Sequence, residues 1–199
     1  CNLSMKKKCI NTKNVYENLK YSNFVDVLNT FIVDLKEQDQ QLFENLSKTR
    51  KKEISRAIKS NIKVKSIKDQ NIKEIKKEMK NFRLSHLYSA KKVTRPLSTW
   101  KIMNDNLINK NCNLFVAYIK DTPISYLYCG EFNKMAWGWS QSNTKKIEKK
   151  DSVRHYLEWC AIEYYKKNNF NYYDIGIRYY ENDILNKFSK KEIYISDFK

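Results

Sequence analysis

Three short runs near the middle of this chain place apolar residues at every second position, and in the first of them the intervening residues are apolar as well. The runs are NLFVAYIK at 113–120, PISYLYCGEF at 123–132 and MAWGWSQS at 135–142. Alternation at every second residue is typical of β-strands, and the short connections between the runs predict antiparallel hairpins. Both faces of the first run are apolar, which indicates a central strand covered on both sides. The pattern therefore predicts a three-stranded meander.

A helical spacing follows the meander. The segment DSVRHYLEWCAIEYYKKNN carries an apolar stripe, and Asp151 stands at the position of its N-cap. The run NYYDIGI at 171–177 then has the character of a short buried strand. A helix that crosses from the meander to this further strand predicts a mixed, mostly antiparallel sheet.

Two strands and three helices are predicted before the meander. The strands are residues 30–35 and IKVKSI at 62–67, the second at a sheet edge. Between them, EQDQQLFENLSKTRKKEISRAIKSN predicts one helix with its acids early and its bases late. A second helix has Asp69 as its N-cap, and Arg95-Pro96 separates it from a third. In that third helix the inward residues are predicted to be Leu97, Trp100, Ile102 or Met103, and Leu107.

The fold class predicted from these elements is α/β, with helices flanking one central sheet. Residues 1–27 are polar and aperiodic, so we expect them to be a tail or the remnant of a preceding domain. The five cysteines have no paired spacing, which indicates reduced thiols in a cytoplasmic protein. No apolar run reaches the length of a membrane span. His86 and His155 fall on different predicted helices and lack metal-ligand spacing, so we expect no metal site.

The chain is strongly basic, with 39 Lys and Arg against 22 Asp and Glu and a formal net charge of +17. This charge favours an anionic partner such as nucleic acid, a phosphorylated donor or an acidic glycan. A general enrichment in solvated Lys explains it equally well. The candidate anion-binding residues are Arg50 and Lys51 on the first helix and Lys145 and Lys146 in the loop after the meander.

Three separated segments resemble a known family. They are LSKTRKKEISRAIKSNIKV at 46–64, LEWCAIEYYKKNNFNYYDIGI at 157–177 and ISDFK at 195–199. In this order they resemble the second domain of the FemAB-like branch of the GNAT acyltransferase superfamily. The resemblance covers residues 28–199 and implies a GNAT-like fold. Because such proteins usually carry two GNAT domains, it also implies a missing first domain.

The resemblance implies a transferase that moves an acyl or aminoacyl group onto an amine during peptidoglycan, cell-wall or surface-glycan synthesis. The donor would be aminoacyl-tRNA or an acyl thioester, and the acceptor an amine-bearing envelope precursor. Lys199 would stabilise negative charge developing beside the donor ester, and Phe198 would pack against the donor. The alternative for these two residues is an ordinary charged terminus after an apolar anchor.

In a GNAT fold the donor lies where the fourth and fifth strands separate, which corresponds here to MAWGWSQS and NYYDIGI. The residues that would line this cleft are Trp137, Trp139, Ser140 and Gln141, although tryptophans in a meander are more often core. Asp174 would orient the amine or accept its proton, or else cap a turn. Arg178 would clamp a carboxylate or phosphate.

Two other functions remain open. Coenzyme A users of this superfamily carry a Gly-rich turn before the helix, whereas NTKKIEKKDSV contains no Gly. Lys145 and Lys146 would then have to hold phosphate through side-chain charge, as an acetyl-CoA-dependent amino-sugar N-acetyltransferase would require. The other function is a non-catalytic, basic half-domain that binds RNA or a protein partner.

Overall fold

The computed structural model describes residues 29–144 and 153–178. In chain order the elements are β1 (Asn29–Asp34), α1 (Asp39–Glu44), α2 (Lys48–Lys59), β2 (Lys63–Ser66), α3 (Ile72–Ala90), α4 (Leu97–Ile108), β3 (Cys112–Ile119), β4 (Thr122–Phe132), β5 (Met135–Asn143), α5 (Val153–Lys167) and β6 (Tyr172–Arg178). The predicted α/β class, with a mixed and mostly antiparallel sheet flanked by helices, is confirmed.

The six described strands form one sheet in the order β1-β6-β5-β4-β3-β2. Strands β2 to β5 pair antiparallel with their neighbours, whereas β5 and β6 pair parallel. The predicted meander is therefore present as β3, β4 and β5. As predicted, β2 lies at one edge of the sheet.

Successive residues of β3 point into two separate cores. Phe115 and Ala117 pack with α2 and α5, whereas Leu114 and Val116 pack with α3 and α4. Every residue from Cys112 to Tyr118 is buried, which confirms that this strand is covered on both faces. One face of the sheet is therefore covered by α2 and α5, and the opposite face by α3 and α4.

Three details of the helices differ from the prediction. The single helix predicted before β2 is two helices, because Ser47 accepts the Arg50 N–H and starts α2 as its N-cap. The N-cap of α3 is Asn71, whose side chain accepts the Glu74 N–H at 2.9 Å, and not Asp69. Leu97 is 63% exposed in the first turn of α4 and does not face inward, whereas Met103 does.

Almost all described residues belong to one compact unit, Thr30–Gly176. Of the described residues, Asn29, Ile177 and Arg178 fall outside this unit. The single domain predicted over residues 28–199 remains a prediction, because residues 145–152 and 179–199 lie outside the described part. The predicted N-cap Asp151 also lies outside it. Among the described helices, none is long and apolar enough to cross a membrane.

Candidate functional site

Strands β5 and β6 pair only at their beginnings. The paired residues are Met135 with Tyr172, Ala136 with Tyr173, and Trp137 with Asp174. Although β5 continues to Asn143, the described residues after Trp137 form no further pairs with β6. The two strands therefore separate within the sheet and leave a gap beside the second half of β5.

A β-bulge lies on β5 where this gap begins. Tyr128 pairs with Ser140 and Cys129 pairs with Gly138, so Trp139 is an extra residue on β5. Its side chain is 54% exposed and lies 6.1 Å from the Tyr128 ring, measured between centroids. A bulge leaves its extra residue outside the ladder and re-aims the neighbouring side chains.

Ser140, directly after the bulge, contacts His86 of α3. The Ser140 hydroxyl lies 3.1 Å from His86 Nε2, and Arg95 Nη1 lies 3.0 Å from the same nitrogen. Because an arginine can only donate, Nε2 accepts, and Nδ1 carries the ring hydrogen and donates to Thr94 Oγ1 at 3.1 Å. Burial, and secondly the charge of Arg95, lower the pKa of His86. The imidazole is therefore held neutral.

The opposite face of β5 carries a buried polar cluster. Tyr173 donates from its hydroxyl to Glu158 at 2.5 Å, and Cys129 Sγ lies 3.7 Å from the same hydroxyl. A Cβ atom on Gly138 would lie 3.0 Å from both Glu158 Oε1 and the Tyr173 hydroxyl, so only glycine fits there without displacement. Burial above all raises the pKa values of Cys129 and Tyr173, so the thiol and the phenol both stay protonated.

Searches against protein-family models and curated protein sequences find no match. Solved structures do match. FemX is 11% identical, with a TM-score of 0.67 over 94% of this chain and 64% of its own length. L-PGS from Bacillus licheniformis is 12% identical, with a TM-score of 0.61 over 88% of this chain and 54% of its own. The C-terminal domain of a proposed lysylphosphatidylglycerol synthetase from Agrobacterium fabrum is 10% identical, with a TM-score of 0.58 over 86% of this chain and 51% of its own length.

The chain has the fold of FemX and L-PGS. It spans between about half and two thirds of the length of these neighbours. At such low identity the likeness concerns the fold, and the chemistry has to be argued from the residues themselves.

The FemX-like fold brings five of the predicted site residues to the two separating strands: Trp137, Trp139, Ser140, Gln141 and Asp174. Trp137 lies over Gly130, where an added Cβ would come within 2.4 Å of the indole ring. The Asp174 carboxylate accepts the Gly176 N–H at 2.7 Å, so it caps the local turn of β6. Gln141 has a buried Nε2 with no hydrogen-bond partner among the described residues.

The remaining predicted residues lie elsewhere. Arg50 and Lys51 belong to α2, where Lys51 pairs with Glu44 at 2.6 Å, so an acid already neutralises that charge. Arg178 is the last residue of β6. The other four predicted residues, Lys145, Lys146, Phe198 and Lys199, lie outside the described residues.

The sequence did not single out His86 and its contacts with Ser140, Thr94 and Arg95. Ser140 is 54 residues away in the chain, and no local pattern links the two. The available signal was that His86 follows the buried Phe82 by four residues, on the inward face of α3. Within 29–144 and 153–178, no group of three His, Cys, Asp or Glu residues could hold a metal ion.

Proposed function

We propose that this chain carries the site of a GNAT-type transferase that forms an amide between an acyl or aminoacyl donor and an amine. The observation that supports this most is the gap between β5 and β6, which opens at the Trp139 bulge. The neighbours named FemX and lysylphosphatidylglycerol synthetase favour aminoacyl transfer in cell-envelope synthesis over other GNAT reactions.

Residues beside the gap would supply the hydrogen-bond donors that amide formation requires. The amine attacks the donor carbonyl, the carbonyl oxygen becomes an oxyanion, and the ester or thioester bond then breaks with loss of the amine proton. The bulge leaves the backbone N–H of Trp139 outside the ladder, and this N–H would donate to the oxyanion. The unpaired Gln141 Nε2 would bind a polar group of the donor, because a buried amide without a partner costs free energy.

The predicted roles of the other residues form part of this proposal. Trp137 and Trp139 would flank the donor, Asp174 would accept the amine proton, and Arg178 would bind an anionic group. Phe198 would pack against the donor, and Lys199 would stabilise the charge of the leaving group. Replacement Lys199→Ala is expected to abolish transfer with little loss of folding stability.

The net charge of +17 favours a polyanionic donor such as aminoacyl-tRNA over a neutral one. Arg50, Lys51, Lys145 and Lys146 would contact its phosphates. The acceptor would be an amine-bearing envelope precursor, and the reaction would take place in the cytoplasm with a first GNAT domain in the whole protein.

The test is the melting temperature of the chain with acetyl-CoA, coenzyme A, aminoacyl-tRNA and uncharged tRNA, each at saturating concentration. The expected result is a larger increase with the aminoacylated than with the uncharged tRNA. Trp139→Ala should remove that difference. Phe132→Ala is the matched control, because Phe132 is a 75% exposed aromatic residue at the opposite end of the β4–β5 hairpin.

The alternatives predict other results. An increase with acetyl-CoA alone would favour the amino-sugar N-acetyltransferase. Equal, steeply salt-dependent binding of charged and uncharged tRNA without turnover would favour the non-catalytic RNA-binding half-domain. If Trp139→Ala and Phe132→Ala change the melting-temperature difference equally, the gap is not the donor site.

A further inference from the structure

The segment from Met79 to Asn104 contains basic residues and no acidic ones. It contains Lys80, Arg83, Lys91, Lys92, Arg95 and Lys101, and neither Asp nor Glu occurs between Glu78 and Asp105. The segment comprises most of α3, the connection that follows, and the first two turns of α4. Its charge is therefore not balanced locally, unlike that of Lys51 on α2.

A cleft of about 260 Å³ opens in this segment, between the end of α3 and the start of α4. Leu87, Val93, Leu97 and Trp100 contribute its apolar wall. Of the described residues that line it, Arg83, Lys92 and Arg95 are cationic and none is acidic. The volume is below the range of about 300–1,000 Å³ typical of sites that enclose a whole small molecule. The cleft therefore fits a small anionic group better than a complete ligand.

Arg95 is partly buried and has no acidic partner within residues 29–144 and 153–178. Its guanidinium lies 5.5 Å from the centre of the Trp100 ring and donates to the neutral His86. Over the described part of the chain, no carboxylate forms an ion pair with it. Burial lowers the pKa of Arg95, which reflects the cost of desolvating an unmatched charge. An anion in the cleft would offset that cost.

The rim of the cleft is apolar and faces solvent. Val93 is 77% exposed, Leu97 63% and Leu87 45%. A soluble anion in the cleft would leave these side chains in water. A surface with anionic groups outside and hydrocarbon behind them would match both the charge and the apolar rim.

We propose that this cleft docks the chain on an anionic lipid bilayer, with a lipid headgroup against Arg95 and with Leu87, Val93 and Leu97 entering the acyl layer. The exposed cations around it would lie among neighbouring headgroups. This inference does not depend on the proposed transferase activity, because it concerns α3 and α4 and not the gap between β5 and β6.

The test is co-sedimentation of the chain with vesicles of dioleoylphosphatidylserine and dioleoylphosphatidylcholine in equal parts, and with vesicles of phosphatidylcholine alone. Binding is expected only with phosphatidylserine. The double replacement V93S/L97Q should weaken binding about tenfold, because it removes inserted apolar surface. The double replacement R83Q/K92Q should weaken it about fivefold for each charge removed. All substituted side chains are exposed, and melting temperatures should confirm that the variants fold.

The matched controls are Ile58→Ser on α2 and Lys167→Gln on α5, an exposed apolar residue and an exposed cation on the opposite face of the sheet. Neither should change vesicle binding. Equal losses in the controls and in the cleft variants would show that the overall charge of the chain binds lipid, which would overturn the proposal. Absence of vesicle binding, or binding of inorganic phosphate alone at the cleft, would also overturn it.

Discussion

Trp137 and Asp174 form the last pair between β5 and β6 in the described part of the chain. Beyond this pair, β5 has its bulge at Trp139, and β6 contains Gly176, whose φ of 114° is a conformation that L side chains rarely adopt. Each strand therefore departs from regular strand geometry shortly after the pair. After this pair, the described residues of β5 and β6 do not pair with each other.

Asp174 can be tested separately as a turn cap and as a proton acceptor. Asp174→Asn keeps a side-chain oxygen for the Gly176 N–H, so the free energy of unfolding should change by no more than about 0.5 kcal/mol. Asp174→Ala should lose about 1 kcal/mol, because the hydrogen bond disappears. If Asp174 accepts the amine proton, transfer should fall at least about 100-fold in both variants. Full turnover in Asp174→Asn would leave Asp174 only its structural role.

Gly130 is required for the position of Trp137. An added Cβ at residue 130 would lie 2.4 Å from two ring atoms of Trp137, so Gly130→Ala must displace the indole. We expect the free energy of unfolding to fall by about 1–3 kcal/mol in urea titrations, with a changed tryptophan emission spectrum. Gly138→Ala is the control, because its nearest contacts are side-chain ends at 3.0 Å. A loss in Gly130→Ala no larger than in Gly138→Ala would contradict this account.

Two buried tyrosines of β4 should differ in their contribution to stability. The Tyr126 hydroxyl donates to the buried carboxylate of Glu78 at 3.1 Å, whereas the Tyr128 hydroxyl donates to the Met103 carbonyl at 2.9 Å. Tyr126→Phe should cost about 1.5–3 kcal/mol, because it withdraws a donor from a carboxylate. Tyr128→Phe should cost about 1 kcal/mol, because its acceptor is neutral. The reverse order in chemical denaturation would exclude this assignment.

The burial of His86, and secondly the charge of Arg95 beside it, predict a dependence of stability on pH. Since the pKa of folded His86 lies below the ordinary value of 6.5, the unfolded chain binds a proton that the folded chain does not. The free energy of unfolding should therefore be undiminished above pH 6.5 and fall as the pH decreases from 6.5 through the lowered pKa of the folded state. Replacement of His86 by Gln should flatten this part of the profile.

The Ser140–His86 hydrogen bond itself can be measured by a double-mutant cycle at pH 8, where the imidazole is neutral. Ser140→Ala, His86→Gln and the double variant should give a coupling free energy of about 0.5–1.5 kcal/mol. A coupling of zero would show that this contact does not contribute to folding. A pH profile unchanged in His86→Gln would show instead that the lowered pKa of His86 does not cause the pH dependence.

The sequence alone determined the elements and the faces they bury, because periods of two and 3.6 residues are local properties of the chain. It predicted the meander, the coverage of β3 on both faces and the edge position of β2. It did not predict the break before Ser47, because the apolar spacing continues across it and only the caps, Asn45 and Ser47, end one helix and begin the next.

Only the tertiary structure decided how distant residues meet. Ser140 reaches His86 across 54 residues because the register of β5 and its one extra residue place the hydroxyl toward α3. Local spacing fixes which side of an element is apolar, whereas register and packing fix which residues of different elements touch.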